Sequence, residues 1–262
     1  MTEQNNVSLN PKAPEQGERL HRGLSNRHIQ LIAIGGAIGT GLFMGSGRAI
    51  SMAGPSVIFV YMLIGAVIFL VLRAMGEILL SNLRYKAFSD FTTDRVGPMA
   101  GFFLGWSYWF MWVVTAVADI IAIVGYLHMW WPDLQACIPA LAVIGVLLTR
   151  NLVSVKNFCE IEFWFSMIKI VAIVALFIVV GGMIAVGFTS PSGAQASVAN
   201  LWNDGGMFPN HLIGFLGAFQ IAVFAFMGSE LVGTTAAETQ DPEKTLPKAI
   251  NAVPVRILVF YV

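Results

Sequence analysis

Long apolar stretches separated by short polar segments dominate this chain and predict membrane-spanning helices. An α-helix needs about 20 apolar residues, at about 1.5 Å each, to cross the hydrocarbon core of a bilayer. Six stretches approach or exceed this length, at residues 28–49, 56–76, 99–126, 134–149, 163–185 and 212–232. A seventh begins near Ala252 and reaches Val262. We therefore predict an all-α polytopic membrane protein, truncated after six spans and the start of a seventh.

Composition agrees with this pattern. Hydrophobic residues make up 56% of the chain, charged residues 11%, and the mean hydropathy is +0.73. A soluble domain carries roughly a quarter charged residues and lacks apolar runs of this length. The formal net charge of zero provides no electrostatic basis for nucleic-acid binding. These values favour a lipid bilayer as the surroundings of the chain and exclude a nucleic-acid-binding function.

The placement of lysine and arginine predicts the orientation. These residues precede the first stretch, lie between the second and third and between the fourth and fifth, and follow the sixth. The loops at 127–133 and 188–211 contain neither. By the positive-inside rule, the N-terminus is cytoplasmic. Residues 1–27 are polar and lack the apolar core of a signal peptide, so we expect a disordered cytoplasmic tail ahead of a membrane domain at 28–262.

Glycines interrupt the first apolar stretch at residues 35–41, on either side of Thr40. The spacing fits neither a dinucleotide-binding GxGxxG motif nor a P-loop. Gly41 and Gly45 form a GxxxG pair, which leaves close helix packing open as an explanation. An unwound turn is the alternative, because its freed backbone groups need protein, a cavity or a bound solute as partners. The amides of the helix that follows would then favour a carboxylate.

The sixth stretch contains a similar interruption. Gly228 breaks an aromatic run, and Glu230 places an ionisable group at membrane depth, where such residues usually serve function. Glu230 could instead pair with a cytoplasmic arginine or accept backbone N–H bonds. Phe224 is either a lipid-facing or core aromatic, or a lid over a solute beside the break.

Two further charges fall within apolar stretches. Lys169 lies about seven residues into the fifth stretch, where it either snorkels to the interface or faces inward as a proton carrier. Asp119 in the third stretch shares a helical stripe with Trp112, Thr115 and Ala116, which forms either a packing face or a pocket wall. The chain has no CxxC motif or His–Cys cluster, so we assign no metal. It also shows no paired acid and base typical of an enzyme.

Four segments together resemble the bacterial amino acid permeases of the amino acid, polyamine and organocation superfamily. These segments are residues 27–43, 105–110, 162–169 and 230–238. The resemblance implies a leucine-transporter-like fold of two inverted five-helix repeats in the bacterial inner membrane, of which this chain would hold one repeat and the start of the second. A solute would bind between the broken first and sixth helices and be exposed to each side in turn.

The resemblance also implies roles for individual residues. Gly39, Thr40 and Gly41 would hold the carboxylate of an amino acid, carbonyls around Phe224, Ala225 and Met227 would take its ammonium group, and Glu230 would serve binding or gating. Ile38, beside this segment, is a further substrate-binding candidate. If the stripe of the third stretch is a pocket wall, its members are substrate-binding candidates as well, namely Trp112, Thr115, Ala116 and Asp119. Lys169 would couple transport to protons, Phe224 would occlude the solute, and Glu238 is a further gating candidate.

The expected function is import of small neutral amino acids, namely D-serine, D-alanine and glycine, by proton symport with alternating access. The proton gradient is the energy source and no cofactor is expected. A permease of the same family for aromatic, basic or branched amino acids, proline or 4-aminobutyrate is the alternative. A channel is disfavoured because the polar membrane residues cluster at two breaks instead of forming a continuous stripe.

Overall fold

A computed structural model of the chain describes most of the predicted membrane domain. The described residues are 38–82, 85, 87–153, 155–191, 193–203, 205–231 and 241–262. The predicted cytoplasmic tail and Glu238 lie outside them. Within this part the chain is helical, and Thr189 and Gln195 form an isolated antiparallel bridge. The all-α prediction is therefore confirmed for the described residues.

Among the described residues, helices occupy the apolar stretches and also three segments between them. In chain order they are α1 Thr40–Phe43, α2 Gly45–Ala53, α3 Val57–Ser81, α4 Phe88–Arg95, α5 Pro98–Trp130, α6 Cys137–Val153, α7 Val155–Ala185, α8 Asn200–Asn203, α9 His211–Ala225, α10 Pro242–Asn251 and α11 Val253–Phe260. A 3-10 turn, Gly54–Ser56, links α2 to α3. Three helices, α4, α8 and α10, were not expected from the apolar pattern because each lies between apolar stretches.

Several helical runs are long and apolar enough to cross a bilayer. Among the described residues these are Gly45–Ser81, Pro98–Trp130 and Phe163–Ala185, with shorter apolar helices at Cys137–Thr149 and His211–Ala225. Large apolar side chains on α5 and α7 are exposed, such as Phe103 at 72% and Ile178 at 70%. Such surfaces suit lipid and not water, so the fold is that of a multi-pass membrane protein.

The helices α2 and α9 pack antiparallel at very short distance. A Cβ added to Gly214 in α9 would lie 2.2 Å from the Met52 carbonyl oxygen in α2, and one added to Gly45 would lie 3.0 Å from the Ile221 side chain. Ala218, between these contacts on α9, is fully buried. Small residues at this interface let the two backbones approach, as is usual between membrane helices.

Side-chain and backbone hydrogen bonds tie the chain before α9 to the end of α2. The Asn210 side-chain amide donates to the carbonyls of Ser51 and Met52, at 2.9 Å each. The Ser56 amide donates to the Met207 carbonyl at 3.0 Å. The two Asn210 bonds satisfy carbonyls that the end of α2 leaves without an intrahelical partner.

Two further helices, α10 and α11, cover α3. A Cβ on Gly76 would lie 2.5 Å from Cδ1 of Ile250 in α10, and one on Gly65 would lie 2.8 Å from Cδ1 of Ile257 in α11. On α10, Leu246 and Ile250 are buried whereas the charged side chains at its exposed face reach solvent. The main core thus lies among α2, α3, α9, α10 and α11.

Candidate functional site

Ile38 and Gly39, the two described residues before α1, are non-helical, whereas residues 35–37 of the predicted interruption lie outside the described part of the chain. Gly39 is extended, and its carbonyl accepts hydrogen bonds from the amides of Leu42 and Phe43, which starts the helix. No described residue accepts a hydrogen bond from the amides of Gly39, Thr40 or Gly41. These three amides are donors at the positive end of a helix, which favours an anion nearby.

The sixth apolar stretch also stops being helical, because α9 ends at Ala225. Residues 226–230 form successive turns, in which the Phe226 amide donates to the Val223 carbonyl and the Met227 amide to the Phe224 carbonyl. Gly228 has a φ of +94°, a conformation that L side chains rarely adopt. The glycine therefore permits the turn that ends this helix.

The two interruptions meet at Gly41. A Cβ on Gly41 would lie 2.5 Å from Cα of Ala225 and 2.8 Å from the carbonyl oxygen of Phe224. The end of α9 thus touches the start of α1 through backbone alone. The Ala225 carbonyl accepts a hydrogen bond from the Tyr261 hydroxyl at 3.0 Å, which leaves its second lone pair for another donor. Backbone donors of one segment and carbonyl acceptors of the other are therefore brought together.

Glu230 lies in the turns at residues 226–230 that interrupt the sixth stretch, which we call the second break; the non-helical residues before α1 are the first break. Its Oε2 accepts a hydrogen bond from the Gly228 amide at 2.9 Å, while Oε1 is buried and has no hydrogen-bond partner among the described residues. The Tyr108 hydroxyl is also buried, beside Trp112 and within electrostatic reach of Glu230. Buried polar atoms without partners are costly and mark places where a further group is accommodated.

The predicted stripe on α5 divides into residues that reach the first break and residues that do not. The Thr40 hydroxyl donates to Oδ1 of Asp119, which places Asp119 at the start of α1. The Thr115 hydroxyl instead donates to the Met111 carbonyl of its own helix at 2.8 Å. Trp112 packs edge-to-face on Tyr108, at 6.1 Å between ring centroids. Ala116 is exposed.

The remaining predicted site residues lie as follows. Ile38 is 1% exposed, and Phe224 and Met227 are half-buried. Lys169 is half-buried on α7, three residues after the buried Ser166. Glu238 falls outside the described residues. Among the described residues, no three His, Cys, Asp or Glu side chains are grouped as metal ligands.

Two tyrosines at the site were missed by the sequence analysis. Tyr108 precedes Trp112 by one helical turn and extends the α5 stripe, so helical periodicity was a sufficient signal for it. Tyr261 stacks on Phe226 with ring centroids 4.5 Å apart, in addition to its bond to Ala225. Its only sequence signal was a polar aromatic at the end of an apolar run.

Comparison with known proteins identifies the family of the chain. The sequence pattern of the amino acid permease family matches residues 28–262. The chain is 63% identical over 262 residues to the D-serine/D-alanine/glycine transporter of Escherichia coli K12, covering 100% of this chain and 56% of the relative. It is 54% identical over 247 residues to the amino-acid permease AapA of Bacillus subtilis, covering 94% of this chain and 53% of that protein.

A more distant relative has another substrate in its name. The aromatic amino acid transport protein AroP of Escherichia coli K12 is 45% identical over 248 residues, covering 95% of this chain and 54% of the relative. The chain thus spans little more than half the length of the curated relatives it matches. These relatives are named as transporters and permeases, not enzymes. From the family match and the identity along its whole length, the chain belongs to the amino acid permease family.

Proposed function

We propose that the chain serves the import of small neutral amino acids, with glycine, D-serine and D-alanine as substrates, across the bacterial inner membrane. The contact of Gly41 with Phe224 and Ala225 carries the proposal, because it joins the two helix breaks into one place. The choice of substrates is supported by the 63% identity to a transporter named for these three amino acids.

The proposed site matches both charges of an amino acid. The amides of Gly39, Thr40 and Gly41 are suited to its carboxylate, at the positive end of α1. The carbonyl of Met227 and the remaining lone pair of the Ala225 carbonyl are suited to its ammonium group. A zwitterion brings no net charge, so its transfer to membrane depth costs less than that of an ion.

Crowding around the breaks favours a small side chain in the substrate. Ile38 is buried before the first break, and the stacked rings of Phe226 and Tyr261 lie behind the second. Phe224 is the proposed occluding aromatic. Import of aromatic amino acids is the second candidate, supported by the 45% identity to AroP.

The proposed mechanism is alternating access in a leucine-transporter-like fold of inverted repeats, with the N-terminus in the cytoplasm. The direct packing of the first and sixth spans through α2 and α9 supports this arrangement. Lys169 is the proposed proton carrier because it lies half-buried within an apolar helix. Glu230 and Glu238 are the proposed binding or gating acids.

Uptake of labelled glycine tests the proposal. The protein is expressed from its full reading frame in cells that lack their own glycine permeases, and unlabelled amino acids compete. We expect D-serine and D-alanine to compete and an uncoupler to abolish accumulation. Competition by aromatic or basic amino acids alone would disprove the substrate assignment, and accumulation that survives the uncoupler would disprove proton symport.

A further inference from the structure

A hydrogen bond ties the first break to α5. The Thr40 hydroxyl donates to Oδ1 of Asp119, which lies 79 residues further along the chain, and both side chains are half-buried. Thr40 is the first residue of α1, and α1 contacts α5. The bond therefore holds the start of α1 against the middle of α5.

This bond uses the one proton that the Thr40 side chain can donate. A threonine hydroxyl has a single donor hydrogen, and an ionised carboxylate only accepts. A hydrogen bond to a carboxylate is also stronger than one between neutral groups. An amino acid whose carboxylate lies at residues 39–41 would bring a second acceptor to the same hydroxyl. Asp119 and the amino acid are then competitors for one proton.

We propose that Asp119 is a positioning residue. It competes with the carboxylate of the transported amino acid for the hydrogen bond that the Thr40 hydroxyl donates. The inference rests on the proposed function, since it requires the amino acid to lie at the first break. In one arrangement Thr40 donates to Asp119 and α1 is tied to α5. In the other, Thr40 donates to the amino acid and this tie is released.

The contacts of α1 restrict this release to its tie with α5. Gly41 packs on Ala225 and Phe224 through backbone atoms, and this contact involves no proton of Thr40. Exchange of the hydroxyl therefore loosens α1 from α5 and leaves it packed against α9. The amino acid shifts the equilibrium toward the released arrangement by the difference in its affinity for the two. Binding of the substrate is thereby linked to movement of the first span relative to α5.

A double-mutant cycle on glycine binding tests the exchange. The protein, expressed from its full reading frame and reconstituted in lipid nanodiscs, is titrated with tritiated glycine as wild type, Thr40→Val, Asp119→Ala and the double variant. We expect Asp119→Ala to lower the Kd about fivefold, the effect of one ordinary hydrogen bond, because the hydroxyl is freed for glycine. Thr40→Val should change the Kd by less than about twofold in wild type but raise it about fivefold in Asp119→Ala.

Two controls separate this role from a structural one. Asp119→Asn keeps an acceptor of the same shape without the charge, so it should lower the Kd less than Asp119→Ala does, and it replaces that variant if alanine prevents folding. Thr40→Ser keeps the hydroxyl, so the about fivefold fall in Kd on Asp119→Ala should persist in a Thr40→Ser background, whereas it should be lost in a Thr40→Val background. A merely structural Asp119 would weaken binding in both of its variants, regardless of residue 40.

The outcomes are distinguishable. The exchange would be overturned if Thr40→Val changed the Kd for glycine equally in wild type and in Asp119→Ala, or if Asp119→Ala raised the Kd. Either result would leave amino acid binding in place. Failure of the wild-type protein to bind glycine, D-serine or D-alanine would overturn the proposed function and this inference together.

Discussion

At the scale of single residues, backbone proximity determines what the site tolerates. Gly41 is pressed against the main chain of Ala225, whereas a Cβ on Gly47 in α2 would meet no atom of the described residues within 4 Å. The GxxxG pair of Gly41 and Gly45 left close helix packing open, and Gly41 does pack closely, but the pair does not specify Ala225 as the partner. The sequence could not predict that the Tyr261 hydroxyl bonds the Ala225 carbonyl, since that pair forms across 36 residues only in the folded chain.

Gly41→Ala should reduce glycine uptake by about tenfold or more, because a methyl group at this position forces the two breaks apart. Gly47→Ala is the matched control and should transport at the wild-type rate. Initial rates of labelled glycine uptake, corrected for the amount of protein in the membrane, measure both. Normal uptake by the Gly41 variant would refute the assignment of the amino acid site to the place where the two breaks meet.

Lys169→Ala should abolish accumulation driven by a pH gradient while glycine exchange continues, because the proposed proton carrier is lost and the amino acid site is not. Counterflow and gradient-driven uptake in proteoliposomes measure the two activities separately. Lys248→Ala, at an exposed position on α10, is the control. Gradient-driven accumulation in the Lys169 variant would assign Lys169 to snorkelling alone.

At the scale of elements, hydropathy located the long helices but not the short polar ones. The runs at 99–126 and 163–185 fall within α5 and α7 because nearly every position is apolar. Hydropathy did not predict the ten-residue helix α10 because this helix is amphipathic and not uniformly apolar. Burial of Leu246 and Ile250 against α3 stabilises it. The close pairing of α2 with α9 likewise depends on tertiary contacts that no single segment specifies.

Asn210→Ala should loosen the junction between α2 and α9, because the carbonyls of Ser51 and Met52 lose their donor. Asn210 is exposed, so water partly replaces the lost bonds, and we expect a cost of about 1 kcal/mol. Hydrogen exchange of the amides at 211–217, read by mass spectrometry, should accelerate about fivefold for that free energy. Asn203→Ala, in α8, is the control. Equal hydrogen exchange in the two variants would show that the Asn210 bonds do not stabilise the junction between α2 and α9.

At the scale of the whole molecule, the sequence predicts an orientation through its charged loops. Cys137 is exposed at the start of α6, next to a loop without lysine or arginine, and is therefore expected outside. The family resemblance implied inverted repeats, which hydropathy cannot reveal because it carries no information on how spans pair in space. Loop charge and family pattern thus contribute different parts of the whole-molecule account.

A membrane-impermeant maleimide should label Cys137 in spheroplasts of the Cys159→Ser variant. The Cys137→Ser variant, which keeps Cys159, should be labelled only after the membrane is permeabilised. Labelling in the reverse order would invert the orientation and contradict the cytoplasmic N-terminus.

Protection of a cysteine at the first break tests the central claim most directly. Among the described residues, a Cβ on Gly39 would meet no atom within 4 Å, so we expect Gly39→Cys to be tolerated at the place where the amino acid carboxylate is expected. In a background in which every native cysteine, including Cys137 and Cys159, is replaced by serine, we predict that glycine and D-serine slow the reaction of this cysteine with a small thiol reagent, while Gly47→Cys reacts at an unchanged rate. If saturating glycine and D-serine leave the reaction at position 39 unaffected, the amino acid does not bind at the break and the account is wrong.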